Sequence, residues 1–182
     1  MFRHEFIFAL AVLLPAAGYT QESNWFSASL KWLGTWSLNL EKSNLQDMLA
    51  LGPGTTVTAQ TLTIEEAAGK LKLKGSTILS NGRPSPDEIN VLDLEGKVTT
   101  VSPGITVSFK RISEVSFDIL VQVNTGTINA SGLNRFVISL DGKTLTESKT
   151  QVSREVVPEG ADPTQGRVLK SSTSVFVFDK LR

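Results

Sequence analysis

This 182-residue chain predicts an all-β domain, a single antiparallel up-and-down barrel of about eight to ten strands. Three observations lead there. Apolar and polar residues alternate with period two along most of the chain, and Gly-, Asn- and Asp-containing turn signals separate the alternating runs. Almost no helical periodicity lies between those runs, and a parallel sheet would need helical crossovers. Closing the sheet on itself removes the unpaired edges that a long open sheet exposes. A two-sheet sandwich satisfies the same alternation, and Gly34-Thr35-Trp36 at the head of the first strand favours the barrel.

The elements follow in order. Arg3 and His4 precede an apolar run over residues 6–17, with small residues such as Ala16 and Gly18 at its end, the pattern of a secretory signal peptide over residues 1–18. The run is too short for a hydrocarbon core of about 30 Å, which takes about 20 residues, although an uncleaved anchor is the alternative reading. Residues 19–33 form a plug segment in which Phe26, Leu30 and Leu33 have the i, i+4, i+7 spacing of a short helix. The barrel domain is residues 34–182, with a first strand over 35–40. Ser43 and Gln46 then have capping-box spacing ahead of Met48 and Leu49, and Gly52-Pro53 ends that turn. This short helix is either a lid over the barrel mouth or a loop helix packed permanently on the wall.

Strands over 56–65 and 70–78 flank the turn at Ala67-Ala68-Gly69, and Lys70, Lys72 and Lys74 alternate with Leu71 and Leu73 as a solvent face. Strands over 89–94 and 97–101 flank Glu95-Gly96. Ile105, Val107 and Phe109 share one face of the next strand. In the clearest strand, 116–124, Phe117, Ile119, Val121 and Val123 lie opposite Asp118, Gln122 and Asn124. Phe136, Ile138 and Leu140 point inward from a strand over 135–140, and Asp141-Gly142 supplies a tight hairpin turn. On the return strand, 143–152, Thr144, Thr146, Ser148 and Thr150 form the inward set, as hydroxyls for a ligand or as small residues fitting the barrel's taper. Leu145 lies out of phase with that choice, which leaves the opposite facing open. A last strand covers 168–179. Loops over 80–87 and 158–167 are the parts suited to motion or to a partner, and Asn129-Ala130-Ser131 has the form of a glycosylation sequon.

Composition excludes several kinds of chemistry. Eighteen Lys+Arg balance 18 Asp+Glu, so no nucleic acid or anionic membrane surface is indicated as a partner. The chain has no Cys, hence no disulfide, thiol nucleophile or lipidated export signal, and its single His, His4, lies in the signal. The part after the signal therefore lacks the usual general base at neutral pH and the usual ligand for zinc, copper or iron. No cofactor or metal is expected, and the chain reads as a binding protein rather than an enzyme. Catalysis would require a carboxylate such as Asp118 or Glu147 inside the barrel beside a second polar group.

Four stretches carry a resemblance: Gly34-Thr35-Trp36-Ser37-Leu38-Asn39 with Glu41-Lys42-Ser43, then Ser108-Phe109-Lys110-Arg111-Ile112, Asp141-Gly142-Lys143-Thr144-Leu145-Thr146 and Val177-Phe178-Asp179-Lys180. In that order they resemble secreted bacterial lipocalin-like proteins of the calycin superfamily, over most of the chain beyond the signal. The resemblance implies barrel closure by Gly34, Trp36 and Lys180, with the Lys180 ammonium over the Trp36 ring. An ordinary exposed strand end is the alternative for Lys180. Two departures count. Ser113-Glu114-Val115-Ser116-Phe117-Asp118 replaces the Thr-Asp-Tyr type of motif, and Ser174-Val175-Phe176-Val177-Phe178 lacks the Arg-x-Tyr with which related fatty-acid carriers grip a carboxylate. The expectation is an exported protein, periplasmic or secreted, without a membrane span after signal removal. It would bind a small apolar or amphiphilic molecule between Phe109, Phe117, Ile119, Phe136, Ile138 and Thr146. The alternative is a solid barrel that contacts another exported protein through its loops.

Overall fold

The computed structural model describes residues 30–45, 55–126, 129–156, 162 and 165–181. Ten strands follow in chain order: β1 (Gly34–Leu38), β2 (Val57–Ala67), β3 (Lys70–Leu79), β4 (Glu88–Asp93), β5 (Thr99–Ser102), β6 (Ile105–Arg111), β7 (Ser116–Asn124), β8 (Asn129–Ile138), β9 (Thr144–Arg154) and β10 (Val168–Lys180). They form one antiparallel sheet in the order β4-β3-β2-β1-β10-β9-β8-β7-β6-β5. Consecutive strands thus pair throughout except β4 with β5, and β1 joins β10 through Trp36↔Lys180. The result is a nearly closed up-and-down barrel. Its seam lies between β4 and β5, which are consecutive in the chain but share no ladder.

Alternation explains which face turns inward. Leu62 and Ile64 of β2, Leu71 and Leu73 of β3, Leu92 of β4, Val107 and Phe109 of β6, and Phe117 and Ile119 of β7 are all buried. Phe136 and Ile138 of β8, Leu145 of β9 and Phe176 and Phe178 of β10 extend the core, which also takes in Trp36 of β1 and Leu30 and Trp32 ahead of it. Phe117 stacks on Phe136 at 4.6 Å and 11°, and Trp32 meets the edge of Phe117 at 5.1 Å. These contacts concentrate at one end of the barrel, because residues 30–33 fold under it. Leu33 N–H donates to Leu30 C=O at 3.0 Å, closing a turn at the end of the plug segment, and Trp32 is buried there, only 1% exposed. Phe26, assigned to the same plug, lies outside the described residues, as do residues 1–29 generally.

Three local readings are corrected. The capping-box spacing predicts Ser43 as a helix cap, but its hydroxyl donates to Asn39 C=O at 2.6 Å and accepts from Val177 N–H at 2.9 Å. It closes the 3₁₀ turn Leu40–Lys42 onto β10, and Asn39 is the cap there, its side chain accepting from Lys42 N–H. Gln46, Met48 and Leu49 of the lid segment and Pro158 of the last loop lie outside the described residues. β8 starts at Asn129 rather than Arg135, so the sequon asparagine is a buried strand residue whose amide donates to Glu155 C=O at 3.2 Å. Leu140 is 88% exposed instead of inward. The reason is the Asp141 carboxylate, which accepts from Ser139 Oγ at 2.6 Å and Lys143 N–H at 3.1 Å. It bends residues 139–143 into a loop, and Leu140 rides on its outside.

Candidate functional site

Cross-strand register stacks the inward side chains of β8, β9 and β10 into layers. Ile138, Leu145 and Phe178 form the deepest, and Phe136, Glu147 and Phe176 the next. Above them come Asn134, Lys149 and Ser174, then Gly132, Gln151 and Ser172. The interior therefore changes from closely packed and apolar to polar and small-chained along its axis. Where the aromatic packing stops, a cavity of about 360 Å³ opens toward the mouth. Val121, Val123, Ala130 and Gly132 line one side, Gln151, Ser172 and Ser174 the other, and Lys149, Asn134 and Glu88 its floor. A void of about 30 Å³ lies below and shares Glu88, Asn134 and Lys149 with it.

The floor contains an ion pair. The Lys149 ammonium is 3.6 Å from the Glu147 carboxylate and 5.0 Å from the centroid of Phe176. Glu147 is buried, 4% exposed, at the boundary between the phenylalanine layer and the cavity. Burial pushes its carboxyl above the usual range against the opposing pull of Lys149, and the charge of Glu88 adds to the rise. Glu147 and Glu88 in turn hold the Lys149 ammonium protonated above its ordinary value, with Glu147 the main cause. Around the small void, the Gln60 Oε1 is buried and has no hydrogen-bond partner among the described residues. Glu88 accepts from Asn90 Nδ2 at 3.1 Å.

The sequence-assigned wall residues occupy a different level. Phe109, Phe117, Ile119, Phe136 and Ile138 all face inward and are buried, but they fill the closed half. Ile119 and Phe136 border the small void, and none of the five lines the larger cavity. Thr146 points outward, in register with Val137 and Val177. Leu145 decides this, because its burial against Ile138 and Phe178 sets the phase of β9 and turns Glu147, Lys149 and Gln151 inward instead. Leu145-x-Glu147-x-Lys149 carries that signal in the sequence, but charged side chains are almost never fully buried unless paired, so residue type alone favours the threonine face. Asp118, the other carboxylate considered for catalysis, forms a bidentate pair with Arg135 on the outer face at 2.8 and 2.9 Å. Glu147 does lie inside beside a second polar group, Lys149.

At the closed end, the Lys180 ammonium lies 4.9 Å from the centroid of Trp36 and donates to Lys31 C=O at 3.3 Å. Trp36 Nε1 donates to Trp32 C=O at 3.0 Å. Gly34, at φ +127°, leaves the space in which the Lys180 stem passes, since a Cβ there would stand 3.3 Å from Lys180 Cε. The guanidinium of Arg111 covers the Trp32 ring at 5.5 Å. Both tryptophans thus belong to closure, away from the cavity. Among the described residues no helix is long and apolar enough to cross a membrane.

No protein-family model and no curated protein matches the chain. Among solved structures, it is similar to an X-ray structure of biotin binding protein from chicken, at 14% identity and a TM-score of 0.31, over 82% of this chain and 95% of that one.

Proposed function

We propose that the protein is a non-enzymatic binding barrel that holds one small amphiphilic molecule in the cavity at its open end. The observation that carries this is the change in the inward layers, from packed phenylalanines to Gly132, Ala130 and serines around about 360 Å³ of space. A closed apolar end with an open, mixed-polarity end suits a ligand with an apolar body and a few polar groups. The ion pair supports binding over catalysis, because Lys149 is kept protonated and so is neither a base nor a nucleophile near neutral pH. We further read the protein as exported, from residues 1–18, and as lipocalin-like, from the four stretches that resemble those proteins.

The test uses Gly132, whose added Cβ would make ordinary contact with Val121 at 3.6 Å, so that a larger side chain grows into the cavity. Titration with the uncharged dye N-phenyl-1-naphthylamine should show saturable binding to the unaltered protein. Gly132→Leu should weaken it by at least about tenfold, a loss of about 1.4 kcal/mol, while the far-UV circular dichroism stays unchanged. Equal dye affinity in the two proteins would overturn this reading, as would an unaltered protein that binds no dye.

A further inference from the structure

Resting on the binding reading above, we infer that the ligand's polar end is a primary ammonium group, seated in the small void between Glu147, Glu88 and Gln60 with its chain in the larger cavity. Three observations converge. The first is size: a void of about 30 Å³ admits about one water-sized group, since roughly 10–15 Å³ of such volume is enough for a water. It adjoins the larger cavity through the residues they share, so one group seated below can remain attached to a chain above.

The second is hydrogen-bonding balance. The Gln60 Oε1 is buried and accepts no hydrogen bond among the described residues. A buried acceptor left unmade costs about 1–3 kcal/mol. The Glu147 carboxylate is 4% exposed and meets Lys149 only at 3.6 Å, beyond the usual 2.7–2.9 Å or so of a close charge-assisted contact. An ammonium brings three N–H donors and no acceptor, which matches this lining. A hydroxyl brings one donor, and a carboxylate brings none.

The third is charge. Two carboxylates, Glu147 and Glu88, face the void against a single ammonium, Lys149, which Glu147 already engages. An incoming anion would meet that excess of negative charge and displace the existing pair. An incoming cation neutralises it, and beside the buried Glu147 carboxylate the attraction is screened less than in bulk water.

The experiment compares octylammonium, octanol and octanoate, which share one chain, by isothermal titration calorimetry at neutral pH. The unaltered protein should bind octylammonium at least about tenfold more tightly than octanol, with octanoate weakest. Glu88→Gln, a change at an exposed position, should lower octylammonium affinity by a larger factor than it changes octanol affinity. Glu88→Gln with Glu147→Gln, which leaves Lys149 as the only charge at the floor, should reverse the order and favour octanoate. Octanol bound as tightly as octylammonium, or a preference for octanoate in the unaltered protein, would overturn the ammonium while leaving the binding barrel standing. Binding of none of the three would overturn both.

Discussion

At the scale of single residues, several of the decisive positions serve closure. Trp36 and Lys180 meet because β1 and β10 pair in a register that puts them opposite each other, and Gly34 gives the lysine stem its path. That trio could be named from sequence, through a resemblance rather than through any periodicity. Trp32 could not. Its burial depends on a turn at residues 30–33, a segment whose apolar spacing marks Leu30 and Leu33 and passes over Trp32. Ala68 shows the reverse case, a residue at odds with its own turn. Ala67 pairs with Lys70, so Ala68 and Gly69 alone connect β2 to β3, at φ +50° and +72°. Such a turn needs left-handed backbone at both positions, which costs an L-residue about 1–2 kcal/mol. Ala68→Gly should therefore raise stability by about 0.5–1 kcal/mol, part of the relief being offset by the greater freedom of the unfolded chain. An unchanged or lower urea midpoint for that variant would show that the turn is not strained.

At the scale of elements, β9 is the strand whose facing matters most. Its outward residues include Thr146 and its inward ones Leu145, Glu147 and Lys149, so a buried carboxylate enters the barrel with consequences for pH. The native Glu147 carboxyl takes up a proton more readily than its ordinary value of 4.5 implies, chiefly because burial disfavours the ionised form. Its linked stability is therefore fully present below 4.5 and is lost as pH rises through the raised native value. Asp87, Asp93, Asp141 and Asp179 are lowered from 3.8 by their hydrogen bonds. Their contribution has the opposite sign and is lost as pH falls through their native values, in a separate window. Urea unfolding across a pH series should show stability declining above 4.5 in the unaltered protein and a flatter curve in Glu147→Gln. Parallel curves for the two proteins would rule out Glu147 as the source. The strand itself was legible as a strand. Its phase was not, because Thr144, Thr146, Ser148 and Thr150 alternate as regularly as Leu145, Glu147 and Lys149, and only burial of Leu145 chooses between them.

At the scale of the whole molecule, the barrel is closed at β1 and β10 but open along one seam. β4 pairs only with β3, and β5 only with β6. Each presents unpaired backbone on its other side, and an edge strand opens at lower free-energy cost than one held on both sides. Hydrogen exchange should therefore be faster for amides of β4 and β5 than for β8, β9 and β10, by about tenfold or more. Uniform protection across all ten strands would mean that the seam is bridged in solution. Sequence by itself determined the all-β antiparallel class, most strand positions and the buried phenylalanine faces, because period two and turn chemistry are local properties carried by neighbouring residues. It also determined the absence of thiol chemistry, which is a matter of composition. Only the tertiary structure decided where the aromatic packing ends, which face of β9 turns inward, and that Glu88, Gln60, Glu147 and Lys149, drawn from three separate strands, surround one small void. Those are questions of register and volume between strands far apart in the chain, and no local pattern encodes the space left once every side chain has been placed.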